Sequence, residues 1–383
     1  MIEDNRSYKF LVSTIGDPES ASTYSGVPYQ LFKAMDSYSL IVKRINGYKI
    51  QPVDYLTGYY DIKKSLSKKK PYRNALWRYR QRTISKLSNR IDNIISGTEF
   101  DIFLQIGCGG LPTSGSIKIA HIEIPISMAM SDTTYATSYG FYDIPEAVID
   151  DASKGEKRFI DGCDLIWTNT EWTADGLRKL GVPDEKLFIF PPCINLTPGR
   201  TYRQRELTCP KILFIGKDWE RKGGPQLVDA LRLLLTSFPD ATLDIIGCTP
   251  NIDHPSVKVH GFIDKGSRAG FEKLKQITES CNIFCMPSQW ESTGIVYFEA
   301  MENSLPVVMV KGQGREDLFQ GICTVLDNPA PDTIAYGIEN LIHNASITHA
   351  TALKAYQAVT DKYNYEKLLE KLIERIDIIR SKK

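Results

Sequence analysis

Short apolar runs recur along the whole chain, separated by polar stretches rich in Gly, Pro, Ser and Asp. In the first half they are Phe10 to Val12, Leu40 to Val42, Asp101 to Gln105, Lys118 to Ile122, Ile126 to Met130, Asp164 to Thr168 and Leu187 to Phe190. In the second half they are Lys211 to Gly216, Leu243 to Gly247, Val257 to Ile263, Ile283 to Met286, Val307 to Val310 and Cys323 to Leu326. Runs this short, rich in Ile, Val, Leu and Phe, predict strands buried on both faces. Helical segments are predicted between them: Tyr29 to Met35, an amphipathic helix ending near Phe238, Arg268 to Ser280, and helices from about Asp332. Alternating β and α elements predict an α/β fold, with parallel sheets covered by helices on both faces.

A chain of 383 residues suggests two such domains. Pro191-Pro192 breaks regular structure, since proline supplies no ladder donor. Residues 195–208 are polar and aperiodic, which marks a linker. The expected division is 1–200, 201–364 and a terminal helix, 365–383. That helix carries apolar residues at 368, 369, 372, 373, 376, 378 and 379, and is expected to pack back on the first domain.

Composition narrows the class. With 42% apolar and 24% charged residues the chain reads as soluble and globular. No run approaches the ~18 apolar residues of a membrane span. Met1 to Arg6 has no signal-peptide pattern, so cytoplasmic residence is the expectation. The eight cysteines sit mostly in or beside apolar runs without C-x-x-C spacing, and read as reduced core thiols rather than metal ligands. A net charge of +1 says nothing about partners, but residues 63–90 hold eleven Lys or Arg and no acid, interleaved with Tyr72, Leu76, Trp77, Tyr79, Ile84 and Leu87. That composition suits an anionic lipid surface at the inner face of a membrane, or a solvated helical face. No nucleic-acid motif accompanies it.

Candidate chemistry sits where strands end. Ser25-Gly26-Val-Pro28 opens a helix after the first strand, at the sheet edge where ligands bind. Gly107-Cys-Gly-Gly110 is a glycine-rich turn without phosphate-loop spacing. Asp132 follows the run 126–130, either facing the ligand crevice or capping the next element. His121, in an apolar stretch, reads as a core or edge histidine. In the second half, Gly216-Lys217-Asp-Trp-Glu-Arg221-Lys222-Gly places cations in a turn before a helix, a pattern that suits phosphate oxygens. Glu291 and Glu299 bracket a predicted helix start near Ser292 or Thr293. Eight positions on one helix separate them by ~12 Å, too far to share one proton or metal. They can touch two parts of one extended ligand.

Glu291-Ser-Thr-Gly-Ile-Val-Tyr-Phe-Glu299, its continuation Ala300 to Val308, and the Gly216 to Lys222 loop together resemble the retaining GT-B glycosyltransferases of family 4. The resemblance implies two Rossmann-like doubly wound domains facing a cleft. It implies transfer of a hexose-type sugar from a UDP or GDP sugar to a hydroxyl of a glycan or lipid-linked acceptor. No cofactor or metal is implied, the nucleotide sugar being substrate. Glu291 would contact donor hexose hydroxyls and Glu299 the ribose. Lys217 and Lys222 would neutralise the diphosphate, with Gly216 and Arg221 in the same loop. The backbone at Thr293, Gly294 and Ile295 would lie against phosphates and sugar. Gly26 falls where the family places a glycine loop, though Ser25-Gly26 stands for the frequent Gly-Gly. Lys217 stands for a frequent Arg, and Asp132 for a frequent histidine on the acceptor side. A nucleotide-sugar epimerase, a phosphorylase, or a non-catalytic sugar-nucleotide-binding protein remain alternatives on the same fold.

Overall fold

All of the apolar runs but one form strands in the computed structural model, which describes residues 8–20, 23–47, 76–138, 141, 144–194 and 200–383. The chain divides into two compact units, Met1–Pro191 with Tyr365–Lys383, and Pro192–Asn364. In the first unit, β1 (Phe10–Thr14), β2 (Ile41–Asn46), β3 (Ile102–Ile106), β4 (Ile117–His121), β5 (Leu165–Thr168) and β6 (Leu187–Ile189) form one sheet. Their order is β2-β1-β3-β4-β5-β6, and every neighbouring pair is parallel. β1, β3 and β5 are buried along their whole length, which is why they read as continuous apolar runs. The helices are α1 (Val27–Ser37), α2 (Gln81–Ile95), α3 (Ile126–Ser131), α4 (Thr133–Ser138), α5 (Glu146–Asp161) and α6 (Glu171–Lys179).

The exception among the runs is 126–130. It was expected as a strand and forms α3 instead. Pro125 precedes it in an extended conformation, and only Ile126 in Ile-Ser-Met-Ala-Met-Ser is β-branched. The buried carboxylate of Glu156, on α5, accepts from the Ile126 N–H at 2.8 Å and satisfies one free donor of the first turn. A six-residue apolar run does not by itself separate a buried strand from a short buried helix.

In the second unit, β7 (Lys211–Ile215), β8 (Thr242–Ile246), β9 (Val257–Gly261), β10 (Ile283–Met286), β11 (Val307–Val310) and β12 (Thr324–Leu326) form a second parallel sheet, in the order β12-β11-β10-β7-β8-β9. Its helices are α7 (Gly224–Leu234), α8 (Arg268–Ser280), α9 (Ile295–Glu302), α10 (Arg315–Leu318), α11 (Pro331–His343) and α12 (Ala345–Asp361). The core packs aromatic rings edge to face, with Tyr297 lying 5.9 Å from Phe284 and 5.5 Å from Phe319.

Both sheets reverse direction in the middle. From β7 the chain steps outward to β8 and β9, then returns to place β10 on the other side of β7. Loops leaving β7 and β10 therefore part from each other at the carboxyl edge, the position where open α/β sheets bind ligands. β1, flanked by β2 and β3, has the same place in the first sheet.

Two connections differ from a simple reading of polarity. The units divide at Pro191/Pro192, and residues 200–208 are anchored to the second unit rather than loose. Arg205 is buried there, donating to the carbonyls of Glu279 at 3.1 Å and Asn303 at 2.6 Å, while its own carbonyl pairs with His349 Nε2 at 2.9 Å. A segment can be polar because it is hydrogen-bonded to main chain, not because it is solvated. The last helix, α13 (Tyr365–Lys382), belongs to the first unit. It buries Tyr365, Leu368, Leu369, Leu372 and Ile376, and Arg375 donates to the carbonyls of Glu185 at 2.8 Å and Leu187 at 3.1 Å. Asp377 takes the Tyr8 hydroxyl.

Candidate functional site

The loop after β7 brings its cations back over the strand end. A Cβ at Gly216 would meet Lys222 Cδ at 2.5 Å, so glycine is what lets the Lys222 stem cross there. The loop after β10 lies against it. Gln289 N–H donates to the Arg221 carbonyl at 2.9 Å, and Arg221 Nη1 donates to the Trp290 carbonyl at 2.5 Å. Arg221 also holds Asp218 through Nε at 3.1 Å. Arg221 is thus a tie between two loops.

Glu291 is the common partner of both cations. Its Oε2 accepts from Lys222 Nζ at 2.8 Å and from Arg221 Nη1 at 3.4 Å, with the side chain only 15% exposed. Its N–H donates to Gln313 Oε1 at 3.3 Å. Burial pushes the carboxyl up, but Lys222, Arg221 and Arg315 outweigh it and hold Glu291 below the usual carboxylate range.

The helix expected near Ser292 or Thr293 begins at Ile295, after Gly294 at φ 71°. Left-handed backbone at that residue stops the helix short, so Glu291 lies in the preceding loop and the helical spacing of the two glutamates does not apply. Ser292 and Thr293 are buried, and Ile295 is the first helical residue. Glu299 sits in the second turn of α9, where Lys265 Nζ grips both its oxygens at 2.6 and 2.7 Å. Lys217 is exposed, with Nζ 5.5 Å from the Phe262 ring centroid.

Among the predicted residues of this half, the structure brings together Gly216, Arg221, Lys222 and Glu291. Lys265, Gln313 and Arg315 had not been singled out as site residues. Their one sequence signal was position, since each is polar and follows the carboxyl end of a parallel strand.

In the first unit, Gly26 is buried with φ 84° at the start of α1, after the β1 loop. A cavity of ≈ 340 Å³ opens at the carboxyl ends of β1, β3 and β4, lined by Ile15, Gly107, Glu123, Arg78, Tyr135 and Glu156 among others. Asp132 is spent on capping: its Oδ1 accepts from Tyr135 N–H at 2.9 Å, and it follows a helix rather than a strand. His121 is buried, bonded to Asn169 at 3.1 Å and packed on Trp167 at 4.3 Å. Burial lowers it to about 4, so it is a neutral core histidine.

Residues 63–75 of the basic stretch lie outside the described residues. The remainder forms a 3-10 turn, Leu76–Tyr79, and α2, whose Thr83, Ile84, Leu87, Ile91 and Ile95 are buried in the first unit. That apolar side faces protein and is not available to lipid. Among the described residues no two cysteines are joined in a disulfide. Among the described residues no group of three or more His, Cys, Asp or Glu could hold a metal, and no helix is long and apolar enough to cross a membrane.

Residues 209–344 match the model of a family described as glycosyl transferases group 1. A curated relative, sulfoquinovosyl transferase SQD2 of Arabidopsis thaliana, is 26% identical over 170 residues, which is 43% of this chain and 32% of that protein. Across the leading curated relatives the match spans between about a third and about half of their length. Among solved structures, sucrose-phosphate synthase from Thermosynechococcus elongatus superposes with a TM-score of 0.70 at 13% identity, covering 99% of this chain and 100% of that one. Anabaena HepE, solved in complex with UDP and glucose, does so with a TM-score of 0.58 at 14% identity, covering 97% of this chain and 100% of that one.

Proposed function

The chain belongs, through residues 209–344, to the glycosyl transferases group 1 family, and from that premise we propose that it moves a hexose-type sugar from a nucleoside diphosphate to an acceptor hydroxyl with retained configuration. Its two parallel six-stranded units have the GT-B fold. The observation that carries the reading is the joining of Lys222 and Arg221 to Glu291 where β7 and β10 end. Lys217, Arg221 and Lys222 leave β7 in one short loop, and cations so placed suit a diphosphate.

Breaking the glycosidic bond leaves negative charge on the diphosphate. Lys222, with Lys217, supplies preorganised positive charge to it, and α9 directs its N-terminal N–H groups the same way. Lys222 then shares its ammonium between Glu291 and phosphate, and Glu291 is left to accept hydroxyls of the donor hexose. Glu299, reached past Lys265, accepts the ribose hydroxyls. A UDP-sugar donor is supported by the HepE complex, a relative in fold that was solved with UDP and glucose. The neutralisation rests on side chains and needs no divalent metal, so transfer is expected to persist in EDTA. The acceptor, a glycan or lipid-linked hydroxyl, is assigned to the first unit, near Gly26 and the carboxyl edge of its sheet. Lys and Arg of 63–90 are assigned to an anionic membrane surface. Since α2 keeps its apolar side inside, that attraction is electrostatic, and binding to anionic vesicles should fall as salt rises.

Lys222→Ala is expected to lower kcat by ~10²-fold, as for a lost transition-state charge contact. Glu299→Ala is expected to weaken nucleotide-sugar binding in calorimetry by about tenfold, the scale of one charged hydrogen bond. Wild-type transfer rates and affinities in both variants overturn the assignment.

A further inference from the structure

Arg315 is the residue of this region that ordinary packing does not explain. It is fully buried, 0% exposed, at the start of α10. Its Nη2 donates to the Val310 carbonyl at 3.1 Å and makes longer contacts to Ser288 O at 3.4 Å and Lys311 O at 3.5 Å. Its Nε and Nη1 are buried without a hydrogen-bond partner among the described residues. Three contacts from one nitrogen do not offset the burial of a whole guanidinium. Tying the end of β11 to the neighbouring loop could be done by a neutral donor. What the charge adds is its field at Glu291, whose carboxylate it favours together with Lys222 and Arg221.

The same short loop touches Glu291 a second time. Gln313, in left-handed backbone at φ 55°, turns its amide oxygen to the Glu291 N–H. A non-glycine residue in that conformation is strained, and such strain is stored where geometry matters. Gln313 and Arg315 thus hold both ends of the 288–291 turn.

We propose that Arg315 is a positioning residue for Glu291, anchoring Ser288 and so holding the 288–291 turn in place when Lys222 turns to the donor phosphates. This rests on the donor-site reading of Lys222 and Glu291. The groups that bear on the Glu291 carboxylate are Lys222 and Arg221 in contact with it, and Tyr297 from α9 and Arg315 from α10 through charge, with Asp218 drawing on Arg221.

The test uses the full chain with UDP-glucose, UDP-N-acetylglucosamine and GDP-mannose as donor probes. Nucleotide release is followed from pH 4 to 9, and nucleotide-sugar binding is measured by calorimetry. Arg315→Met is expected to move the acid limb of kcat/KM upward by about one pH unit, the effect of losing one nearby charge. It should lower kcat about tenfold while KM changes less than about twofold. Arg315→Lys restores the charge and should restore the limb. A folded Arg315→Met with the wild-type limb and kcat overturns the proposal, whatever its melting temperature. If Arg315→Met does not fold, Arg315→Gln decides, since it keeps an amide donor for Val310 and Ser288 without the guanidinium: an unchanged kcat and acid limb overturn the proposal, and a fall of about threefold or more with the limb moved upward supports it. A wild-type chain that binds none of the three probes overturns the donor-site reading and this inference together. Binding by the wild type with no effect of the variants overturns this inference alone.

Discussion

Glu156 keeps its carboxyl in the interior of the first unit, 2% exposed, beside the cavity at the ends of β1, β3 and β4. Burial pushes it from 4.5 to about 8, and the hydrogen bond from Ile126 N–H pulls back only part of that. The folded state therefore holds a proton that the unfolded chain releases near 4.5. Its contribution to stability is full below about pH 4.5 and is lost as pH rises through about 8. Glu156→Gln keeps an oxygen for Ile126 and removes the titration. Its melting temperature should match wild type near pH 4.5 and exceed it near pH 8, by the equivalent of up to about 4 kcal/mol. Parallel curves across that range would remove Glu156 as the cause. Residues such as Glu156 and Arg315 are not legible in sequence, because nothing local marks an acid or an arginine as buried. That Glu291, Lys222 and Gly216 lie together was legible, because each falls in a loop at the carboxyl end of β7 or β10. Of the two roles open to Asp132, the structure shows the cap, and the run before it is a helix rather than a strand.

At the scale of elements, twelve of the thirteen apolar runs were legible as strands, most within a few residues of their bounds, and their ends drew attention to the loops after β7 and β10. Side-chain pairing across loops was not. Lys265 lies 34 residues from Glu299 in sequence, yet holds it through both oxygens. Both partners are partly exposed, 48% and 30%, so the pair is worth at most about 1 kcal/mol. If ribose hydroxyls take the Glu299 carboxylate, Lys265 must yield or share it. Lys265→Ala is then expected to tighten nucleotide binding by no more than about fivefold, the equivalent of that energy. A large loss of affinity in calorimetry would instead make Lys265 a ligand contact. The start of α9 shows the same limit of local reading. Ser292 and Thr293 are ordinary cap residues, but Gly294 takes the left-handed conformation and moves the helix start beyond both.

Over the whole molecule, two parallel-sheet units were expected and two are present. The terminal helix is the long-range feature, and its amphipathic pattern foretold a partner surface. Removing residues 365–383 would uncover the surface that Leu368, Leu369, Leu372 and Ile376 cover, each worth about 1.5–3 kcal/mol of burial. That approaches the total stability of a typical domain, so truncation should abolish the melting transition of the first unit while the second still melts cooperatively. A truncated chain with two intact transitions would count against that bookkeeping. The return of α13 also sets an order of events during synthesis. The second unit is one unbroken segment, whereas the first is written in two pieces on either side of it. As the chain leaves the ribosome, the second unit can close by itself, whereas the first waits with its sheet incompletely covered until α13 docks. A chain cut before residue 365 would carry a folded second unit and an unfinished first one, the species on which a chaperone would act.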